Sequence, residues 1–205
     1  IVNVMRGGPG LGSIAGAQSD YFQATKGGGH GDYRMIVLAP AGVQEMFDFT
    51  FEAFALADKY RTPVMILADG LIGQMMEPLE FDSGIKPTGI VKKPWALVGS
   101  KGRAAQSIKS LLLGDNALEE HNLKLQRKYR EIEKAEVACE EYRLAKSEIV
   151  IVAYGTMARI AKKCADLLTE EGHPTGVLRP KTLWPFPYGP IRDLVKDKNR
   201  KFLVV

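Results

Sequence analysis

Cysteine is nearly missing from this chain: 205 residues hold two, Cys139 and Cys164, far apart and each inside a helical pattern. That excludes a disulfide framework and argues against a cysteine-ligated zinc or iron–sulfur site. Long apolar runs are also lacking. No stretch approaches the roughly 18 residues that a membrane-crossing helix requires. The first residues show no basic region, apolar core or cleavage site of a secretory leader, so the expectation is a cytoplasmic protein with no membrane partner. Charge of one sign is scarce too. With 28 Lys and Arg against 24 Asp and Glu the net charge is +4, and the two signs interleave through residues 124–146. Nucleic-acid binding needs basic residues gathered on one face, so no nucleic-acid partner is expected.

What is present is an alternation of strand and helix patterns. Residues 1–5 and 35–39, and Val64-Met65-Ile66-Leu67-Ala68, are short apolar runs that read as strands. Residues 15–25 read as a short helix. Val43–Tyr60 reads as a longer one, with Val43, Phe47, Phe54 and Ala57 on one face and Phe51 and Leu56 widening it. It must stop before Pro63. Continuous apolar strands separated by helices predict parallel sheets with helices on both faces, an α/β fold. Residues 77–102 carry several Pro and Gly and no period, and read as an irregular connector. Residues 118–142 then read as one amphipathic helix with the stripe Leu118, Leu125, Tyr129, Ile132 and Cys139, facing its own domain or a partner subunit. Both ends of the chain are strand-like, and a buried strand is a poor place for a natural terminus, so further sequence is expected on both sides.

A second unit opens at Glu148-Ile149-Val150-Ile151-Val152-Ala153-Tyr154, a strand. Gly155-Thr156 turns it into a helix with Thr156 as a suitable N-cap, ending at Gly172 and followed by a strand from Gly176. This is one βαβ crossover. Residues 179–187 hold three prolines, too many for a helix or a central strand. Residues 191–196 fit a short helix and 202–205 a last strand.

The chemistry points to Arg6-Gly7-Gly8-Pro9-Gly10-Leu11-Gly12-Ser13. This loop follows a buried strand at its carboxyl end, the edge on which open α/β sheets bind ligands. Glycines let backbone N–H groups approach an anion, and Arg6 adds a planar cation that matches a carboxylate or phosphate. Gly10-Leu11-Gly12-Ser13-Ile14-Ala15 fits G-x-G-x-x-A formally. However, the glycines start too far past the strand, and Asp32 precedes the second strand rather than closing it. No Gly-Lys-Ser/Thr follows, so a P-loop fails. A tight glycine-rich turn with a surface arginine remains the plain alternative. His30, in the run Lys26-Gly27-Gly28-Gly29-His30-Gly31-Asp32, either borders a site or is an exposed loop histidine. His121 and His173 occupy helix-surface and turn positions and carry no assignment.

Val4-Met5-Arg6-Gly7-Gly8-Pro9 followed by Gln18-Ser19-Asp20, together with Ile36-Val37-Leu38-Ala39-Pro40 and Ala57-Asp58-Lys59-Tyr60-Arg61-Thr62-Pro63-Val64, resembles the alpha subunits of 2-oxoacid:ferredoxin oxidoreductases. Leu178-Arg179-Pro180-Lys181-Thr182-Leu183-Trp184-Pro185-Phe186-Pro187 is independently similar to that family's transketolase C-terminal-like domain. The resemblance implies the C-terminal part of a thiamine-enzyme pyrimidine-binding domain over 1–78, a connector over 79–146, and an incomplete transketolase C-terminal-like domain over 147–205. It implies a hetero-oligomeric oxidoreductase that decarboxylates a 2-oxoacid, forms acyl-coenzyme A and reduces ferredoxin.

By the same resemblance, thiamine diphosphate with Mg2+ is shared with a beta, diphosphate-binding subunit. Iron–sulfur clusters and coenzyme A belong to partner subunits, which include gamma and ferredoxin-like chains. Arg6 matches the family arginine for the substrate carboxylate; Gly7, Gly8 and Ala15 form the same substrate loop, and Gln18, Asp20 and His30 are candidates for its border. Relatives that act on 2-oxoglutarate-like acids resemble R-G-G-P-S-T-G-L-P-T here, with threonine at the place of Ala15. A second buried carboxylate needs a polar partner, so this apolar loop favours a branched acid such as 2-oxoisovalerate, with 2-oxoglutarate as the alternative. Ala68-Asp69-Gly70 lacks the first glycine and the downstream asparagine of a diphosphate motif, so Asp69 reads as ending a strand and ordering a turn. The family's catalytic glutamate lies upstream of these motifs, so the chain alone is expected to be inactive. Other readings are a non-catalytic assembly module and another thiamine enzyme, such as a transketolase or a pyruvate dehydrogenase E1 component.

Overall fold

The computed structural model describes residues 1–27, 29–81 and 93–205. Part of the expected connector, 82–92, lies outside them, as does Gly28 of the His30 run.

Two four-stranded sheets organise the chain. The first takes β1 (Val2–Met5), β3 (Val64–Asp69), β2 (Ile36–Leu38) and β7 (Thr182–Trp184) in the order β1-β3-β2-β7, the first three parallel and β7 antiparallel to β2. The second takes β4 (Cys139–Tyr142), β6 (Thr175–Pro180), β5 (Ile149–Val152) and β8 (Lys201–Val204) in the order β4-β6-β5-β8, parallel except for β4. Alternation along β5 sorts its side chains to two faces, as the period of a strand requires. Ile151 joins Ala158, Ala161 and Ala165 of α5 (Gly155–Glu170), whereas Val150 and Val152 join Leu178 and lie against Ile191 and Leu194 of α6 (Tyr188–Val195). The first sheet is covered by α2 (Val43–Tyr60) and α4 (Ala117–Ala135), which bury Phe49, Leu56, Tyr129 and Ile132 against Ile36, Val37 and Leu38.

Helix α2 has the predicted bounds and chemically sound ends. Glu45 and Glu77 accept the N–H groups of Ala41 and Val43, each at 2.8 Å, so orphan donors at its N-terminus are satisfied. Arg61 ends it in the left-handed region, φ 47°, and donates its N–H to the Ala57 carbonyl. The buried face differs from the predicted one. It runs through Met46, Phe49, Ala53, Leu56, Ala57 and Tyr60, while Phe54 is 71% exposed. The helix has apolar residues on several sides, so contact with the sheet, not periodicity, selected the stripe.

Four more expectations change. The helix expected over 15–25 is only α1 (Tyr21–Lys26), because Gly16 forms an antiparallel bridge with Arg6 and lies against Leu71. Helix α4 stops at Ala135, and Cys139 lies instead in β4, paired with Pro180. The Ala138 carbonyl there accepts N–H bonds from Lys181 and Thr182, at 3.0 and 3.1 Å, which fixes the turn into the strand. Thr156 does not cap α5 from outside; it lies within the first turn and is buried, with Tyr154 at the capping position. The proline-rich stretch contains two strand segments: Pro180 ends the central strand β6, and Thr182–Trp184 forms the edge strand β7 of the other sheet. Gly172 does end its helix as expected, at φ 91°.

Candidate active site

The carboxyl ends of β1, β2 and β3 share one edge of the first sheet, and those of β5, β6 and β8 one edge of the second. These edges meet. Asp69, the last residue of β3, turns its Oδ1 to the N–H groups of Leu71 and Ile72 at 2.9 and 3.1 Å, capping the short helix α3 (Gly70–Gln74). The same oxygen accepts the hydroxyl of buried Thr156 from the second unit at 3.0 Å. Gln18 donates to the Tyr154 carbonyl at 2.9 Å. Gly155, at φ 57°, fits where a Cβ would stand 3.2 Å from Gln18 Nε2 and 3.6 Å from Asp69 Oδ2.

The loop after β1 is closed by its own backbone. Gly7 N–H donates to the Ala15 carbonyl at 3.0 Å, and Ser13 N–H to the Gly7 carbonyl at 2.7 Å. At Gly12, φ 56°, a Cβ would lie 1.6 Å from the Gly7 oxygen, so only glycine fits. Arg6 stands at the root of this loop with an exposed side chain, and its guanidinium makes no hydrogen bond or ion pair among the described residues. Its own carbonyl accepts the Ser19 hydroxyl at 3.2 Å. Gly8 and Ala15 are exposed on the same loop. Asp20 accepts a hydrogen bond from Asn3 of β1 at 3.2 Å, which keeps its carboxylate beside the strand. The structure therefore brings Arg6, Gly7, Gly8, Ala15, Gln18 and Asp20 to one end of β1. It does not bond His30 to them: His30 is exposed in the turn after α1.

Sequence reasoning passed over the neighbours at the junction. A cleft of about 320 Å³ is lined by Gln18, Tyr21, Val152, Tyr154, Phe186 and Val204. The rings of Tyr21 and Tyr154 are 5.9 Å apart. The Tyr154 hydroxyl is buried without a hydrogen-bond partner among the described residues; burial pushes its pKa up strongly, and the Tyr21, Asp69 and Asp20 charges push the same way. Its position directly after an apolar strand was the available signal.

Exposed Leu11, Ile14 and Leu71 place apolar surface along the β1 and β3 edge, with Leu71 against Gly16 of the Arg6 loop. No group of three or more His, Cys, Asp or Glu that could hold a metal ion occurs among the described residues. No described helix is long and apolar enough to cross a membrane.

Two α/β units joined at their carboxyl edges place the glycine-rich Arg6 loop on the edge where open α/β sheets bind their ligands. Family models narrow the class of protein. Residues 1–144 match "Pyruvate flavodoxin/ferredoxin oxidoreductase, thiamine diP-bdg" and residues 147–205 match "Pyruvate:ferredoxin oxidoreductase core domain II". The chain belongs to this thiamine diphosphate-binding family of ferredoxin oxidoreductases. It is 50% identical, over 96% of its length, to the ketoisovalerate oxidoreductase subunit VorB of Methanothermobacter marburgensis, and 48% identical over its whole length to VorB of Methanothermobacter thermautotrophicus. It spans 55% and 58% of those two relatives. It is 35% identical, over 97% of its length, to the 2-oxoglutarate synthase subunit KorA of Archaeoglobus fulgidus, of which it spans 58%. A solved 2-oxoglutarate:ferredoxin oxidoreductase from Magnetococcus marinus, with 2-oxoglutarate, coenzyme A and succinyl-CoA bound, matches the fold with TM-score 0.76 at 24% identity, over 99% of this chain and 40% of that one.

Proposed function

We propose that this chain is part of the subunit that receives the 2-oxoacid, 2-oxoisovalerate, in a thiamine-dependent enzyme that forms acyl-coenzyme A and reduces ferredoxin. The observation that carries this is the unpaired Arg6 guanidinium at the carboxyl edge of a sheet in a thiamine-binding family. The two VorB relatives near 50% identity support the branched substrate, as does the apolar Leu11 and Ile14 surface of the loop. In this reading 1–78 is the C-terminal part of the pyrimidine-binding domain, 79–146 the connector and 147–205 the start of the transketolase C-terminal-like domain.

Leu71, beside Gly16, would border the pyrimidine half of thiamine diphosphate, leaving Leu11 and Ile14 to the substrate side chain. The Mg2+ and diphosphate site would come from a beta subunit, and clusters and coenzyme A from further subunits. When bound, thiamine diphosphate supplies the nucleophilic carbon and the electron sink that decarboxylation needs. Arg6 holds the substrate carboxylate in a planar, two-point contact, oriented from a loop stiffened by the Gly7–Ala15 and Ser13–Gly7 bonds. Gly7 and Gly8 keep the approach clear of side chains, and Ala15 keeps the far wall apolar. Gln18 and Asp20 border the substrate site, each held in place by one hydrogen bond, and His30, exposed in the turn after α1, is a further candidate for its border.

The carboxylate leaves as neutral CO2, so a grip that is tighter in the ground state than in the transition state opposes reaction; Arg6 selects and places substrate. In the assembled enzyme, Arg6→Ala is expected to raise KM for 2-oxoisovalerate about ten- to a hundredfold, the loss of one charge-assisted pair, with a smaller change in kcat. Unchanged kcat/KM would remove Arg6 from the site. A clear preference for 2-oxoglutarate across a substrate panel would overturn the branched-acid reading.

A further inference from the structure

A second cationic site lies in a different part of the first unit. A cleft of about 350 Å³ is lined by Tyr60 and Arg61 from the end of α2, Lys109 from the loop before α4, and His121, Lys124 and Lys128 from α4. On the helix, 121, 124 and 128 are spaced three and four apart, so one face presents all three groups. Like charges four apart on a helix repel, and a carboxylate in one of these places would relieve the repulsion. None lines the cleft, and none of Arg61, Lys109, Lys124 or Lys128 forms an ion pair among the described residues. Arg127, Arg130 and Lys134 of α4 do not line the cleft.

Two of the cations, Arg61 and Lys128, are held in place. Arg61 is fixed in the left-handed region by the end of α2, and its guanidinium lies 5.2 Å from the centre of the Trp95 ring. Lys128 is half-buried and donates to the Thr62 hydroxyl. Burial lowers its pKa, and the neighbouring Lys124 and Arg61 charges lower it further. An anion in the cleft would relieve that repulsion. The shape decides the kind of anion. A concave space of this size takes a small molecule, whereas an acidic protein surface needs a broad, flat patch. Arg61, Ser107 and Ile108 are shared with an adjoining cleft lined by Trp95 and Pro94, which leaves room for a flat group attached to the anion.

We propose that this cleft binds a small molecule carrying two or more phosphate groups, with Arg61, Lys109, Lys124 and Lys128 as its ligands. It is separate from the Arg6 loop and shares no lining residue with it.

The test is calorimetric titration of sodium tripolyphosphate into the full-length chain assembled with its partner subunits and loaded with thiamine diphosphate. Saturable binding is expected, weakening as salt rises. It should weaken about tenfold or more in Lys124→Gln and in Lys109→Gln, and much less in Lys124→Arg, which keeps the charge. Lys109 lies in an exposed loop, so its variant separates loss of binding from loss of fold. Activity with saturating substrate should stay unchanged in both glutamine variants. Absence of saturable binding overturns the proposal. So does binding that both glutamine variants leave intact, which would put the anion on another subunit. A cleft that ignores tripolyphosphate but is protected by an acidic protein would also overturn it.

Discussion

A methyl group on residue 12 would lie 1.6 Å from the Gly7 carbonyl oxygen, inside the contact that closes the Arg6 loop. The residue also needs φ 56°, which a side chain disfavours. Gly12→Ala is therefore expected to open the Ser13–Gly7 hydrogen bond and misplace Arg6, with little effect on the two hydrophobic cores. In the assembled enzyme kcat/KM should fall about tenfold or more, the cost of a displaced contact, while the melting temperature shifts by only a few degrees. A large loss of melting temperature with normal kcat/KM would show that Gly12 serves the fold and not the site. Gly10, by contrast, would carry a Cβ into open space, so its role is confined to its own φ of 67°.

Helix α4 shows how an element divides its residues. Its stripe was legible in sequence as Leu118, Leu125, Tyr129 and Ile132, but burial falls unevenly along it. Ile132 is fully buried and Tyr129 nearly so, its ring edge-on to Trp184 at 5.8 Å, whereas Leu118 is 57% exposed. Removing three methylene or methyl carbons from a closed core leaves a cavity, so Ile132→Ala should cost roughly 2–5 kcal/mol. Leu118→Ala should cost well under about 1 kcal/mol, as at other exposed positions. Urea unfolding of the two full-length variants checks this; equal losses would mean that the first turn of α4 is covered in the assembled protein.

At the scale of the whole molecule, the two units are fastened by polar contacts as well as by β7. Ala39 N–H donates to the Lys181 carbonyl at 2.8 Å, and Arg159 donates to the Ala41 carbonyl at 3.1 Å. The centre of the joint is Arg179, almost wholly buried on β6, which makes a two-point contact with Glu45 of α2 at 2.6 and 2.9 Å. Its Nε lies 3.1 Å from Glu140 Oε2, close enough for attraction but outside hydrogen-bond geometry. Burial alone would raise the Glu45 pKa; the Arg179 hydrogen bonds and charge, the Ala41 N–H and Lys181 outweigh it and leave the carboxyl below its ordinary 4.5. A depressed pKa means that the stabilisation is complete above the unfolded value and is lost as pH falls through the folded one. The melting temperature should therefore drop as pH falls below about 4.5, the unfolded value. Glu45→Gln should lower it at neutral pH and flatten that part of the acid limb. An acid limb identical in the variant would assign it to other carboxylates.

Much of this architecture was written locally. Apolar strands, the bounds of α2, the crossover through α5 and the Arg6 loop all follow from period, proline and glycine placement, because each depends on neighbours a few residues away. What local pattern could not decide was which competing stripe of α2 to bury, that 139–142 would leave α4 to pair with β6, and that 182–184 would cross into the other sheet. Nor could it show that Gln18 meets Tyr154, 136 residues on, and Asp69 meets Thr156, 87 residues on, at one junction. Those outcomes depend on unpaired backbone groups and apolar faces finding partners distant in the chain, so only the assembled tertiary structure settles them.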